Sequence, residues 1–240
     1  MDYYHKSMKR IFFKFLVFFS MMGVAQQNIV IDSLYKPDPH YLEDQFYFGI
    51  SYTVLKNLPE NMTQNGFSNN IKLGFIRDIP LNEQRNLGIG LGLGLSWETY
   101  YQNLRVSVDE QTSKVSYTIL QNISYKSNSF SLNKIDLPFE IRWRGSTSEK
   151  YKFWRLYTGI TTSYVYKTKS NYVTDNVNVT YQNIKIIRNW QYGLNVSAGY
   201  GTWNFNFYYG LNNLIKKGIE LKGKTLDVRT MSFGFVYYFL

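Results

Sequence analysis

Cysteine is absent from the 240-residue chain, so neither a disulfide framework nor a thiolate metal site can be built. Histidine occurs only as His5 and His40, both ahead of the first extended segment. Proton transfer near neutral pH relies most often on histidine, and no histidine-based triad can be assembled beyond residue 40. Charge is sparse, 18% of residues against roughly 25% in soluble domains. Beyond the first 25 residues no apolar run approaches the roughly 18 that a membrane-spanning helix needs. Aromatic residues, by contrast, reach 18%.

Met1–Ala25 reads as a secretory leader: a basic start, an apolar run from Ile11 to Val24 broken by Lys14 and Ser20, and a small-residue ending Gly23-Val24-Ala25. Met8 is an equally good start. Of the net charge of +10, the leader's four cations and one acid account for +3. A basic balance can point to nucleic acid, but a secreted chain would not meet it, so none is expected as partner. Residues 26–43, with Pro37 and Pro39, read as a polar periplasmic lead-in to a domain spanning 44–240.

That domain is organised around Leu87–Leu104, LGIGLGLGLSWETYYQNL. Leucine, isoleucine and tryptophan alternate there with Gly88, Gly90, Gly92 and Gly94, a period of two that belongs to an extended strand. Seven further segments alternate likewise, beginning at Phe46, Phe67, Asp136, Trp154, Trp190, Trp203 and Met231. Their connections run long, short, long, short, long, short, long. The mean hydropathy of −0.32 does not oppose a membrane location, because strands of a transmembrane barrel alternate polar and apolar residues. The pattern predicts an all-β protein, an eight-stranded antiparallel up-and-down transmembrane β-barrel with short periplasmic turns and long extracellular loops. Trp143, Trp154, Tyr200, Trp203 and Phe239 are expected at the periplasmic interface, and Tyr52, Trp97, Tyr101, Tyr164, Trp190 and Tyr209 at the outer one.

The stretch Ile135-Asp136-Leu137-Pro138-Phe139-Glu140-Ile141-Arg142-Trp143, with Phe153-Trp154-Arg155-Leu156-Tyr157-Thr158-Gly159, Ser197-Ala198-Gly199-Tyr200 and the aromatic closing strand, resembles the PorT-like family of outer membrane β-barrels of the Bacteroidota. The likeness runs over about residues 44–240. It implies an integral outer membrane protein, N-terminus in the periplasm, associated with type IX protein secretion and, in some species, gliding. It also implies contact with the barrel assembly machinery. Many outer-membrane barrels end in phenylalanine; this chain ends Phe239-Leu240, with the alternating aromatics retained.

The glycine row does not read as a phosphate loop, which needs glycines at a strand-to-helix turn. An eight-stranded barrel has an interior just wide enough for side chains, and the row is expected to leave room there for a lumen charge network of Lys72, Glu98, Asp136, Glu140, Arg142 and Arg155. Pro138 predicts a bulge nearby. No cofactor or metal is expected. Catalysis by Glu98, Asp136 and Glu140 is conceivable, but nothing in their spacing singles it out, and a non-enzymatic role is expected. The long loops carry twelve Lys or Arg against five acids, which suits lipopolysaccharide phosphates as well as a solvated basic surface. A structural or adhesin-type barrel and a narrow solute channel remain alternatives to a secretion component.

Overall fold

Strict alternation over long segments drives the fold, because each strand can bury one row of side chains and give the other to lipid. The computed structural model describes residues 44–109, 115–145, 154–216, 219–221 and 224–239; the expected leader and lead-in lie outside them. Thirteen strands are formed among the described residues: β1 (Gln45–Lys56), β2 (Asn69–Pro80), β3 (Leu87–Tyr101), β4 (Leu104–Val108), β5 (Val115–Ile119), β6 (Ser127–Arg144), β7 (Trp154–Val173), β8 (Asn178–Gln182), β9 (Trp190–Tyr200), β10 (Trp203–Gly210), β11 (Glu220–Leu221), β12 (Lys224–Thr225) and β13 (Arg229–Phe239). Eight of them pair antiparallel in the order β1-β2-β3-β6-β7-β9-β10-β13, and β13 pairs back with β1. The chain is an eight-stranded up-and-down barrel with no open edge in its wall.

The outward row is apolar: Phe46, Phe48, Leu91, Leu93, Leu137, Phe139, Phe205 and Phe235 are all exposed. Such a surface is untenable in water and suits hydrocarbon. At the short-turn end the rings pack edge to face, Trp154 on Tyr200 at 5.6 Å and Trp203 on Tyr237 at 5.0 Å. At the long-loop end Tyr164 meets Trp190 at 5.0 Å. Gly201 makes the tight β9–β10 turn at φ +62°, a left-handed backbone that glycine adopts without strain.

Several expected boundaries move. β2 runs to Pro80 rather than stopping at Phe75, and β3 stops at Tyr101, with Leu104 opening β4. The register shift lies at Asn133/Lys134, opposite β7, not at Pro138. At Pro138 the β3–β6 ladder lapses between the pairs Leu91↔Phe139 and Gly94↔Asp136 and resumes in the same register; a missing donor is tolerated there without an extra residue.

The largest departure concerns the long connections. Asn103–Ser129 and Lys167–Asn189 read as loops, yet β6 and β7 continue through them above the barrel, joined by the β4–β5 hairpin and β8. Among the described residues fifteen buried hydrophobic side chains form a core there, including Met62, Leu104, Val106, Ile186, Leu214 and Val228 from the connections and Tyr100, Phe130, Leu132 and Val165 from the wall strands. All four long connections contribute to it. Asn103 ties two of them together: its carboxamide nitrogen donates to the Asn61 carbonyl at 2.9 Å, and the Thr63 N–H donates to its side-chain oxygen at 2.7 Å. The barrel therefore ends in a packed cap. Leu104→Ala or Ile186→Ala should cost about 2–4 kcal/mol in the cap and open the outer loops to protease in limited digestion, while the wall stays resistant.

Candidate functional site

The inward row of the wall is polar, and the glycines of β3 decide what can meet inside. In register, Asp78 of β2, Gly90 of β3 and Glu140 of β6 lie side by side, as do Pro80, Gly88 and Arg142. With no side chain on the middle strand, groups from β2 and β6 reach each other across it. Arg142 occupies this trough. Its Nε lies 3.0 Å from Glu140 Oε2 and its Nη1 3.4 Å from Asp78 Oδ2, while Arg144 Nη2 reaches the same Asp78 oxygen at 3.0 Å. Gln45 accepts a further hydrogen bond from Arg142 Nη1 at 3.1 Å. The guanidinium carbon stands 4.2 Å from the centre of the Tyr157 ring and 5.4 Å from that of Tyr238, a favourable cation–π arrangement in a desolvated site.

Each glycine is a close approach. A Cβ on Gly88 would stand 2.6 Å from Asp78 Oδ1, and one on Gly90 2.8 Å from Arg142 Nε. Further up, Gly92 makes room for Ile76 and Pro138, and Gly94 for the Tyr47 hydroxyl. Half the row thus serves ions and half serves uncharged filling.

A second cluster lies toward the long loops. Lys134 Nζ is 2.7 Å from Glu98 Oε1, which also accepts from Asn70 Nδ2 at 2.6 Å. The Tyr100 hydroxyl donates to Glu98 Oε2 at 2.5 Å and contacts Thr230 Oγ1 at 3.0 Å. Lys72 sits beside Ser96, above the glycine row. Its ammonium donates to Asn206 Oδ1 at 2.8 Å, Asn206 donates to Asn195 Oδ1 at 2.6 Å, and Asn195 donates to Glu140 Oε1 at 3.0 Å. Two amides thus relay a lysine on β2 to a carboxylate on β6. Asp136 accepts from the Ser163 hydroxyl at 2.6 Å. Arg155 is buried at the short-turn end, paired across the ladder with Arg144. A cavity of about 50 Å³ lies between the clusters, lined by Lys72, Glu98, Lys134, Asp136, Glu140 and Tyr208 among others, with room for a few waters.

All six expected charges therefore line the lumen, but Lys72 and Glu140 meet only through amides. Asp78, Lys134 and Arg144 join them without having been expected there. Their signal was present, since alternation continues from Lys72 through Gly74 and Ile76 to Asp78, and from Asp136 back to Lys134.

Residues 24–216 match the model of the outer membrane protein beta-barrel domain. The chain belongs to that family. It is an integral protein of the outer membrane. No curated protein sequence matches it. Among solved structures it is similar to Ail, the attachment invasion locus protein of Yersinia pestis, at 10% identity and a TM-score of 0.34, over 82% of this chain and 97% of that one. Ail in complex with the heparin analogue sucrose octasulfate aligns at 10% identity, TM-score 0.33, with the same coverage.

Replacing Arg142 by methionine would leave Glu140 without its ion pair, held by Asn195 alone, and Asp78 with Arg144 as its remaining cation, at a cost of about 3 kcal/mol. The midpoint at which the folded band is lost on heating in gel electrophoresis should fall accordingly. Gly94→Ala should also destabilise the barrel, with Tyr47→Phe recovering part of the loss, a coupling read by a double-mutant cycle.

Proposed function

We propose that this outer membrane barrel is non-enzymatic and acts as a PorT-like accessory component of type IX protein secretion, holding partner components through its outer loop surface and the lead-in 26–43. The observation that carries the reading is the closed interior. Ion pairs and glycine-fitted side chains fill the lumen, and an apolar cap covers its outer mouth. A barrel so filled works by what it presents, not by what it passes. Its lumen carboxylates are bound by cations, amides and hydroxyls, an arrangement suited to holding strands together. The Ile135–Trp143 stretch supports the type IX assignment by its resemblance to that group.

The same reading gives the barrel two envelope partners. The exposed Lys167, next to the exposed Tyr166 and above the Tyr164–Trp190 pair, stands at the level of lipopolysaccharide phosphates. The aromatic row of β13 is the segment offered to the barrel assembly machinery.

Deleting the gene should leave type IX cargo in the periplasm and deplete it from the secreted and surface proteomes, with complementation restoring export. Normal export in the deletion strain would sink the secretion role and leave an envelope or attachment barrel. The pure protein in planar bilayers should give no stable conductance; a reproducible ohmic current would favour the narrow channel instead.

A further inference from the structure

The wall of the barrel has no edge, but the sheet above it does. β8 pairs with β7 through Lys169↔Gln182, Ser170↔Tyr181, Asn171↔Thr180, Tyr172↔Val179 and Val173↔Asn178. Two loop bonds fix which way its backbone points. The Asn183 N–H donates to the Thr168 carbonyl and the Thr174 N–H to the Val177 carbonyl, each at 2.8 Å. By alternation along an antiparallel ladder, Val179 and Tyr181 direct their N–H and C=O groups to β7. Those of Asn178, Thr180 and Gln182 point away from it. Among the described residues no backbone group takes them up.

Natural edge strands are blunted by charge, proline or a bulge. β8 reads Asn-Val-Thr-Tyr-Gln and has none of these, although Asn178, Thr180 and Gln182 are exposed. Its inner face is not loose: Tyr181 packs against the cap core. Among the described residues the edge is therefore anchored on its inner face, in register and open.

We propose that β8 is a docking edge for an extended segment of a partner protein, which adds as a strand and carries carboxylates on its outward row. This deepens the reading of a barrel that works through its loop surface, and rests on it. Strand addition draws its affinity from main-chain hydrogen bonds and its selectivity from alternate side chains. The outward row beside the edge holds the exposed Lys169, with exposed Lys185 just beyond the strand. The acid at the opposite end of this hairpin, Asp175 in the β7–β8 turn, is already 2.8 Å from Lys126 Nζ. Acidic residues on the incoming strand thus meet cations, and its inward residues continue the row of Val179 and Tyr181.

A second copy of this chain is the other conceivable occupant. Antiparallel self-pairing of β8 needs a two-fold axis perpendicular to the sheet. That sheet continues the barrel wall through β7, so the axis would lie in the membrane plane and turn the second barrel upside down. Membrane sidedness forbids it.

The test uses the full chain in lipid nanodiscs and a dye-labelled peptide of alternating valine and glutamate, read by fluorescence anisotropy. The peptide should bind, and the same peptide N-methylated at alternate amides should bind at least about tenfold more weakly, since it forfeits the main-chain bonds to the edge. Thr180→Pro removes an edge donor and no β7–β8 bond; it should weaken binding similarly while heat-modifiable migration is unchanged. Lys169→Glu with Lys185→Glu should shift preference to the valine–lysine peptide. No binding by the parent chain, or equal binding of the methylated peptide, overturns the proposal. So does a parent chain that sediments as a dimer and becomes monomeric on Thr180→Pro, because the occupant is then a second copy. The peptide assay is independent of the export assay, so the docking edge and the secretion role fail separately.

Discussion

An eight-stranded barrel in lipid has one place for charge, and that place is small. The wall pairs its backbone groups from strand to strand, apart from the lapse at Pro138 and the rims, so what remains is to fill a narrow interior without leaving an ion alone. Arg142 meets this constraint most fully. Its side chain and that of Asp78 have no exposure, and carboxylates, an amide and two aromatic faces surround it. An arrangement of this kind is weak evidence for net stability, since desolvation offsets much of the attraction. Its fit is register-dependent: a one-residue slip of β3 would turn Ile89 and Leu91 inward, into the path of Arg142.

The same reasoning orders the molecule along its axis. Near the short turns the inward row is ionic, through Asp78, Glu140, Arg142 and Arg144. In the middle it is amide, hydroxyl and lysine. Beyond Glu98 and Lys134 it becomes Tyr100, Leu132 and Phe130. The outward row changes in the opposite sense, from aliphatic and aromatic to the exposed lysines Lys167 and Lys169 of β7. Where lipid ends, the inside turns apolar and the outside turns polar, and the strands become part of an ordinary soluble core.

That inversion explains which features could be seen in the sequence. Strand number, sidedness and the lumen position of Lys72, Glu98, Asp136, Glu140, Arg142 and Arg155 follow from period-two alternation, which survives any error in strand ends. The pairing of charges does not, because Arg142 finds Asp78 two strands away, and only the register of β2 and β6 on β3 makes them neighbours. The cap was hidden for a different reason. Met62, Ile184, Ile186, Leu214 and Leu226 come from connections without regular period, and no repeat announces that they converge. Lys134 and Asp78 were lost at strand ends set too short.

A closed interior and a closed mouth leave the loop surface as the part of the molecule free to vary in its chemistry, and that surface is ordered. Asn103 and Asn128 hold the connections by side-chain bonds to backbone, so the outer strands are held in place before any partner arrives. Preorganisation of this kind lowers the entropic cost of association. It is also why β8 can leave an edge unprotected without unravelling: the core fixes its inner face, β7 fixes one side, and only the third direction is open.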